Sequence, residues 1–221
     1  MNKRDKAILN DLIRFRVMSR DQIITLHFSH LKNPVSNCNL VLKRLQDRNY
    51  IRPYKSFQPY VYAPYDSKIK DNSQKIFHFL SIVDTYIELT KYDTPSNVLI
   101  EPKFGQKGTI ECDMFCLFRN TPFMIEIQRN QYSDKVMHSK IERYEQFYLS
   151  DIWQQFHWQR PNKKIFPIVL MITDTHYQIT SEYIKVVQVP NIHSLINMFS
   201  PIEKSPISSQ SSKGGIKIKI K

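Results

Sequence analysis

The run KIFPIVLMIT, residues 164–173, constrains the fold more than any other stretch of the chain. A strand with one wet face alternates apolar and polar residues, and this run does not. A continuous apolar run of this length suits a strand buried on both faces. Such a strand needs packed layers on either side of its sheet, so the chain must build an α/β or α+β fold. Its 221 residues allow one large domain or two small ones, and 41% hydrophobic residues suffice for a core.

The neighbouring stretches supply those layers. SQKIFHFLSIVDTYIELTKY (73–92) places Ile76, Leu80, Val83 and Ile87 on one helical stripe. NVLIEPKF, ECDMFCLFRN and TPFMIEIQ read as three strands in quick succession. A second long helix is expected over 134–153, with Val136, Ile141, Tyr144 and Tyr148 inward. After the apolar run come a short helix, the strand KVVQV and the helix HSLINMF. The expected order over 74–200 is αβββαβαβ with a mixed sheet.

Residues 1–67 follow a different pattern. A helix over 4–15 carries Ile8, Leu9, Leu12 and Ile13, and Ser19 with Gln22 forms a capping box for a second. A third helix spans 35–49 with Val41 and Leu45 inward, followed by two short strands, YIRPYKS and YVYAPYD. Three short helices and a hairpin make a winged helix-turn-helix, whose third helix enters the DNA major groove. Its outward residues are expected to be Ser36, Asn37, Asn39, Lys43 and Arg44, with Arg48, Arg52 and Lys55 near the wing and the phosphates. Asn suits adenine edges; Arg and Lys suit guanine or phosphate. The same module could instead serve protein contacts. The polar stretch DSKIKDNS (66–73) reads as a linker between two domains.

Charge placement favours a polyanion partner. Residues 1–67 hold 12 Lys/Arg against 5 Asp/Glu, residues 68–203 hold 15 of each, and residues 204–221 hold five Lys and no acid. The net +12 therefore lies at the two ends, as cations that displace counterions from phosphates would. The Ser-, Gly- and Lys-rich stretch 201–221 is expected to be a disordered basic tail. No apolar run reaches the roughly 18 residues of a membrane span, and the charged N-terminus lacks a secretory core. Cys38, Cys112 and Cys116 lack metal-site spacing and read as reduced thiols, so the expected location is cytoplasmic.

TPFMIEIQRN (121–130) carries the chemistry. Alternation puts Phe123, Ile125 and Ile127 on one face and Met124, Glu126 and Gln128 on the other. The short FRNTP connection pairs this strand with the one after Asp113, placing Asp113 and Glu126 together. Two carboxylates so close need a divalent cation, a protonated partner or a basic side chain such as Lys140 or Arg129. Lys140 and Tyr144, four apart, share a helix face that could close over Glu126. Arg129 or Arg143 could also simply satisfy exposed acids on a hairpin.

The order αβββαβ, an acid on the second strand and Glu-x-Gln on the third resemble the PD-(D/E)xK nuclease superfamily. The resemblance implies Asp113 and Glu126 as magnesium ligands, Gln128 at the usual lysine position, and Glu88 and Glu101 as auxiliary acids. Cys112 stands where that motif has proline. More narrowly, the chain resembles the replication-relaxation family of plasmids and phages, which joins a winged helix to a nuclease-like domain. HFLSIVDTYIEL, IECDMFCLF, MIEIQRNQYS and KIERYEQFY carry that likeness over residues 78–148, transferring His78, Asp113, Glu126, Arg129, Lys140 and Tyr144. Gln128 replaces the family's usual Asp, and Asn130-Gln131 its usual Gly-Thr.

The expected function is DNA binding in the replication or relaxation of such an element, or in its control. The expected partners are double-stranded DNA and a replication or relaxase protein, with a homodimer as a candidate state and no membrane contact. The alternatives are a Mg²⁺-dependent endonuclease using Asp113, Glu126, Gln128 and Lys140, and a transcriptional regulator. No cofactor is expected unless the site is active, in which case Mg²⁺ is.

Overall fold

The structure, a computed structural model, describes residues 1–105 and 108–199. The expected tail 201–221 lies outside the described residues. Those described form six α-helices and two sheets, one of them mixed. Among them no helix is long and apolar enough to cross a membrane.

Helix α1 (Lys3–Phe15) starts at Asn2, whose side chain accepts from the Asp5 amide, and buries Asp5, Ile8, Leu12 and Phe15. That spacing is one helical face, which leaves Ile13 exposed despite its place in the apolar pattern. Helix α2 (Arg20–His27) has the anticipated capping box: Gln22 N donates to Ser19 Oγ and Ser19 N to Gln22 Oε1. Helix α3 (Pro34–Asp47) begins on proline, whose missing amide hydrogen costs nothing there. It buries Cys38, Leu42 and Leu45; Val41, expected inward, is only partly covered. Strand β1 (Met18–Ser19) and the hairpin β2 (Ile51–Tyr54) and β3 (Val61–Pro64) form a small antiparallel sheet in the order β1-β3-β2.

The second sheet holds β4 (Ser96–Ile100), β5 (Met114–Phe118), β6 (Thr121–Ile127), β7 (Ile168–Ile172) and β8 (Val186–Val189), in that spatial order. β4, β5 and β6 are antiparallel neighbours, whereas β6, β7 and β8 run parallel. β7 has neighbours on both sides, and Val169, Leu170 and Met171 are all buried, as its apolar run requires. Alternation divides the core in two. Met114, Cys116, Phe123, Ile125 and Leu170 face α4 (Lys75–Thr90) and α6 (Ile192–Phe199), while Phe115, Met124, Val169 and Met171 face α5 (Asp134–Leu149).

Several boundaries and faces differ from the pattern-based expectation. The second long helix stops at Leu149, and a 3₁₀ turn (Ile152–Gln155) follows. Its buried residues are Met137, Ile141, Tyr144 and Phe147; Val136 is exposed and Tyr148 partly covered. Both stripes are apolar, and the sheet selects one. The expected short helix between β7 and β8 is absent, and residues 174–185 are bends and irregular chain.

The polar stretch 66–73 does not separate two cores. One continuous buried cluster runs from Ile8, Leu12 and Leu42 through Ile82 and Val83 to Ile125 and Leu195. Gln22 Nε2 donates to Leu80 O (2.9 Å) and Asp84 Oδ1 (2.6 Å), and Phe15 packs on Tyr86 at 5.1 Å between ring centroids. Arg52 and Tyr54 strap the stretch down: Arg52 Nη2 donates to Ser67 O and Ile69 O, and Tyr54 Oη to Ile69 O.

Candidate functional site

Glu126 lies near the C-terminal end of β6 and is 3% exposed. An isolated carboxylate could not stay ionised there. Helix α5, laid across this face, presents two donors one turn apart. Lys140 Nζ donates to Glu126 Oε2 at 2.7 Å, and Tyr144 Oη to Glu126 Oε1 at 2.5 Å. Both oxygens are thus held by α5, and Tyr144 is itself buried.

Asp113 immediately precedes β5. Met114 pairs with Ile125, so the antiparallel register sets Asp113 opposite Glu126, and same-face pairing follows. Asp113 Oδ2 accepts from the Ile127 amide at 2.6 Å. Its Oδ1 lies 3.4 Å from His78 Nε2 of α4, and Glu101 Oε1 is 3.9 Å from the same nitrogen. Two linked groups result: Lys140–Glu126–Tyr144 on one side, and His78–Asp113–Glu101 on the other.

Burial sets the direction of the shift at Asp113, Glu126, Tyr144 and His78. It pushes Asp113 from the ordinary 3.8 up to about 6, against the pull of the Ile127 amide and Lys140. It raises Glu126 too, with Lys140 opposing and Asp113 reinforcing. Burial alone would lower Lys140, but the Glu126 charge and hydrogen bond outweigh it, so Lys140 rises and stays cationic. Tyr144 is pushed up by burial and then by Glu126, which keeps it a donor. Desolvation lowers His78, favouring the neutral ring.

Asp113 carries a pH prediction. Between about pH 4 and 6 the folded state keeps a proton that the unfolded chain releases, so this group's stabilisation is full below 3.8 and lost as pH rises through about 6. Urea unfolding of Asp113→Asn across pH 4–7 should show a flatter profile than the parent and no loss of stability at pH 7. A parallel profile displaced downward would contradict this.

The remaining candidates lie apart from these two groups. Gln128 shares the Glu126 face but bonds Tyr177 Oη through Nε2, and its Oε1 is buried without a partner among the described residues. Tyr177 also accepts from the Tyr132 amide at 2.9 Å; nothing in the pattern around it marks it as part of the site. Arg129 lies over the Phe77 ring at 5.4 Å rather than on an acid, and Arg143 Nε donates to its own helix at Ser139 O. Glu88 accepts from the Ile192 amide at the start of α6, a capping contact.

A hydrated Mg²⁺ is usually held by one or two protein carboxylates and keeps several of its waters. Three of the four Asp113 and Glu126 oxygens already accept hydrogen bonds, and the Lys140 ammonium supplies the positive charge. Among the described residues no group of three or more His, Cys, Asp or Glu side chains is arranged to hold a metal ion. Because Lys140 already neutralises Glu126, Mg²⁺ or Mn²⁺ is expected to leave the melting temperature unchanged. A rise that Asp113→Asn abolishes would show a metal bound to the folded state.

On α3, Ser36, Asn37, Asn39 and Lys43 are exposed, as are Arg48 at its end and Lys55 beyond β2. Asn37 Nδ2 donates to Asn33 O, and Lys43 pairs loosely with Asp47 at 3.2 Å. Arg44, expected to face outward, instead reaches α1: its Nη2 lies 2.7 and 2.8 Å from the two oxygens of buried Asp5. Arg52, expected near the phosphates, is spent on the 66–73 strap. A shallow groove beside α3 is lined by Arg20, Asn39, Lys43, Gln58, Tyr60 and Tyr62. Of these, Arg20, Gln58, Tyr60 and Tyr62 escape the helical pattern because they come from neighbouring elements.

No family model, curated protein or solved structure matches the chain.

Proposed function

We propose that this chain is a DNA-binding protein of a plasmid or phage-like element, acting in replication or relaxation or in their control. In this proposal α1–α3 and the β2–β3 hairpin work as a winged helix-turn-helix, with α3 as the recognition helix. Residues 74–200 are a nuclease-like scaffold of the replication-relaxation type whose carboxylate pair is neutralised by Lys140 rather than used for hydrolysis.

The observation that carries the proposal is the uncovered outer face of α3. Ser36, Asn37, Asn39 and Lys43 stand exposed beside a hairpin, on the segment holding +7 of the net charge. Short amides and a lysine on an open helix face suit base edges and phosphates. A gel-shift titration at fixed salt tests it. Asn39→Ala with Lys43→Ala should weaken duplex binding by roughly 1–3 kcal/mol per base-reading contact, with the melting temperature unchanged. Unchanged affinity would remove α3 as the reader. Supercoiled plasmid incubated with the protein and Mg²⁺ or Mn²⁺ should be shifted in the gel and stay uncut. Nicking that Glu126→Gln abolishes would favour the endonuclease instead.

A further inference from the structure

We infer that the end of the five-stranded sheet farthest from Glu126 is a second contact for the DNA backbone, formed by Arg119, Arg160, Lys163, Lys164 and Lys185. The choice of DNA as partner rests on the proposal above. β6, β7 and β8 are parallel and in register, so Thr121, Ile168 and Val186 all begin at one end, while Glu126 and Ile127 lie at the other. The chain enters that first end three times. It does so through the turn Arg119–Asn120, through the loop 156–167 and through Lys185.

Each entry delivers cations. All five side chains are exposed, and none forms an ion pair with another described residue. Residues 152–173 contain no Asp or Glu, although Asp151 precedes them and Asp174 and Glu182 lie between Lys164 and Lys185 in the chain. Over residues 68–203 as a whole the charge balances, so composition hides the five cations that these three adjoining entries carry.

The loop is a built platform. Gln159 Nε2 donates to Trp153 O (3.2 Å) and Ile165 O (2.9 Å), and Gln159 Oε1 accepts from Ile165 N (3.0 Å). Arg160 bridges Lys163 across the tip, while Phe156, Trp158 and Phe166 pack beneath it against the α5-side core. Cations presented on an ordered loop lose less entropy when they meet a phosphate than cations on a free chain. Lys185 lies 5.7 Å from the ring of Phe199, the last residue of α6. Beyond Phe199 the sequence adds five lysines and no acid over 204–221. The 156–166 loop packs on the α5 side of the sheet, whereas α1–α3 share the core on the α4 side.

Phosphate neutralisation has a defined signature: log K falls with log salt by about 0.9 for each contact on duplex DNA. The full chain, the triple variant Arg160→Ala/Lys163→Ala/Lys164→Ala and the α3 double variant Asn39→Ala/Lys43→Ala are titrated against a labelled mixed-sequence duplex at several salt concentrations. The triple variant should keep the parent melting temperature, since the three side chains are exposed. It should bind more weakly, with a salt slope shallower by up to about 2.7. Parent affinity and parent slope in the triple variant would overturn the inference, whatever the α3 variant does. A loss in the triple variant alone would support this surface and count against α3. No duplex binding by the parent chain would end both proposals.

Discussion

Lys140→Met is expected to destabilise the fold by about 3–5 kcal/mol, the usual cost of leaving one partner of a buried ion pair uncompensated. Glu126 is 3% exposed, and only Tyr144 would remain to meet its charge. Methionine keeps most of the lysine's length, so the loss is chiefly electrostatic rather than a cavity. Two further measurements separate this from general damage to α5. Acidification should shrink the penalty, because Glu126, already raised by burial, takes up a proton and no longer needs a cation. Adding Glu126→Gln to Lys140→Met should recover most of the lost stability, because neither partner is then charged. Urea unfolding with an unchanged m-value is the appropriate readout. A cost below about 1 kcal/mol at pH 7 would mean that water, not Lys140, satisfies Glu126.

Arg44→Ala should cost about 2 kcal/mol, near the middle of the range for a hydrogen bond to a charged group. Asp5 is 2% exposed in the first turn of α1, and the Arg44 guanidinium contacts both its oxygens. Arg44 itself is half-exposed, so water can replace part of what is lost, which keeps the expected figure below that for Lys140. Asp5→Asn added to Arg44→Ala should restore much of the stability. Lys43→Ala, one residue away, should leave stability almost untouched, because its pairing with Asp47 is exposed. The contrast matters for DNA binding. Weaker binding by Arg44→Ala that returns with Asp5→Asn would mark a folding effect, whereas a loss that persists in the refolded double variant would give Arg44 a direct contact with DNA.

Local periodicity makes much of this molecule legible in its sequence. The unbroken apolar run at 164–173 demands a covered strand, and β7 is one. Period-two alternation places Glu126 opposite Ile125 across the sheet, and the two cores divide along that line. The four-residue spacing of Lys140 and Tyr144 puts both on one helix face, and both hold Glu126. Ser19 and Gln22 specify their own cap within four residues. In each case the partners are close in sequence or share one regular element, so geometry follows from backbone repeat alone.

Partner choice across the chain is decided only by packing. Arg44 lies on the helix expected to face DNA, yet it turns to an acid 39 residues earlier because α1 and α3 pack with Asp5 between them. Gln128 follows the alternation correctly but bonds Tyr177, 49 residues on, which arrives from the loop after β7. Val136 and Met137 offer α5 two equally apolar stripes, and only the sheet surface selects the second. The 66–73 stretch has the composition of a linker, but Arg52 and Tyr54 bind its carbonyls and the core runs past it. The basic end of the sheet is likewise invisible in a chain segment of zero net charge, because it forms only when three parallel strands bring their entries together. Backbone repeat sets which face a side chain occupies, and which group waits on the opposing face depends on contacts between residues far apart in the chain.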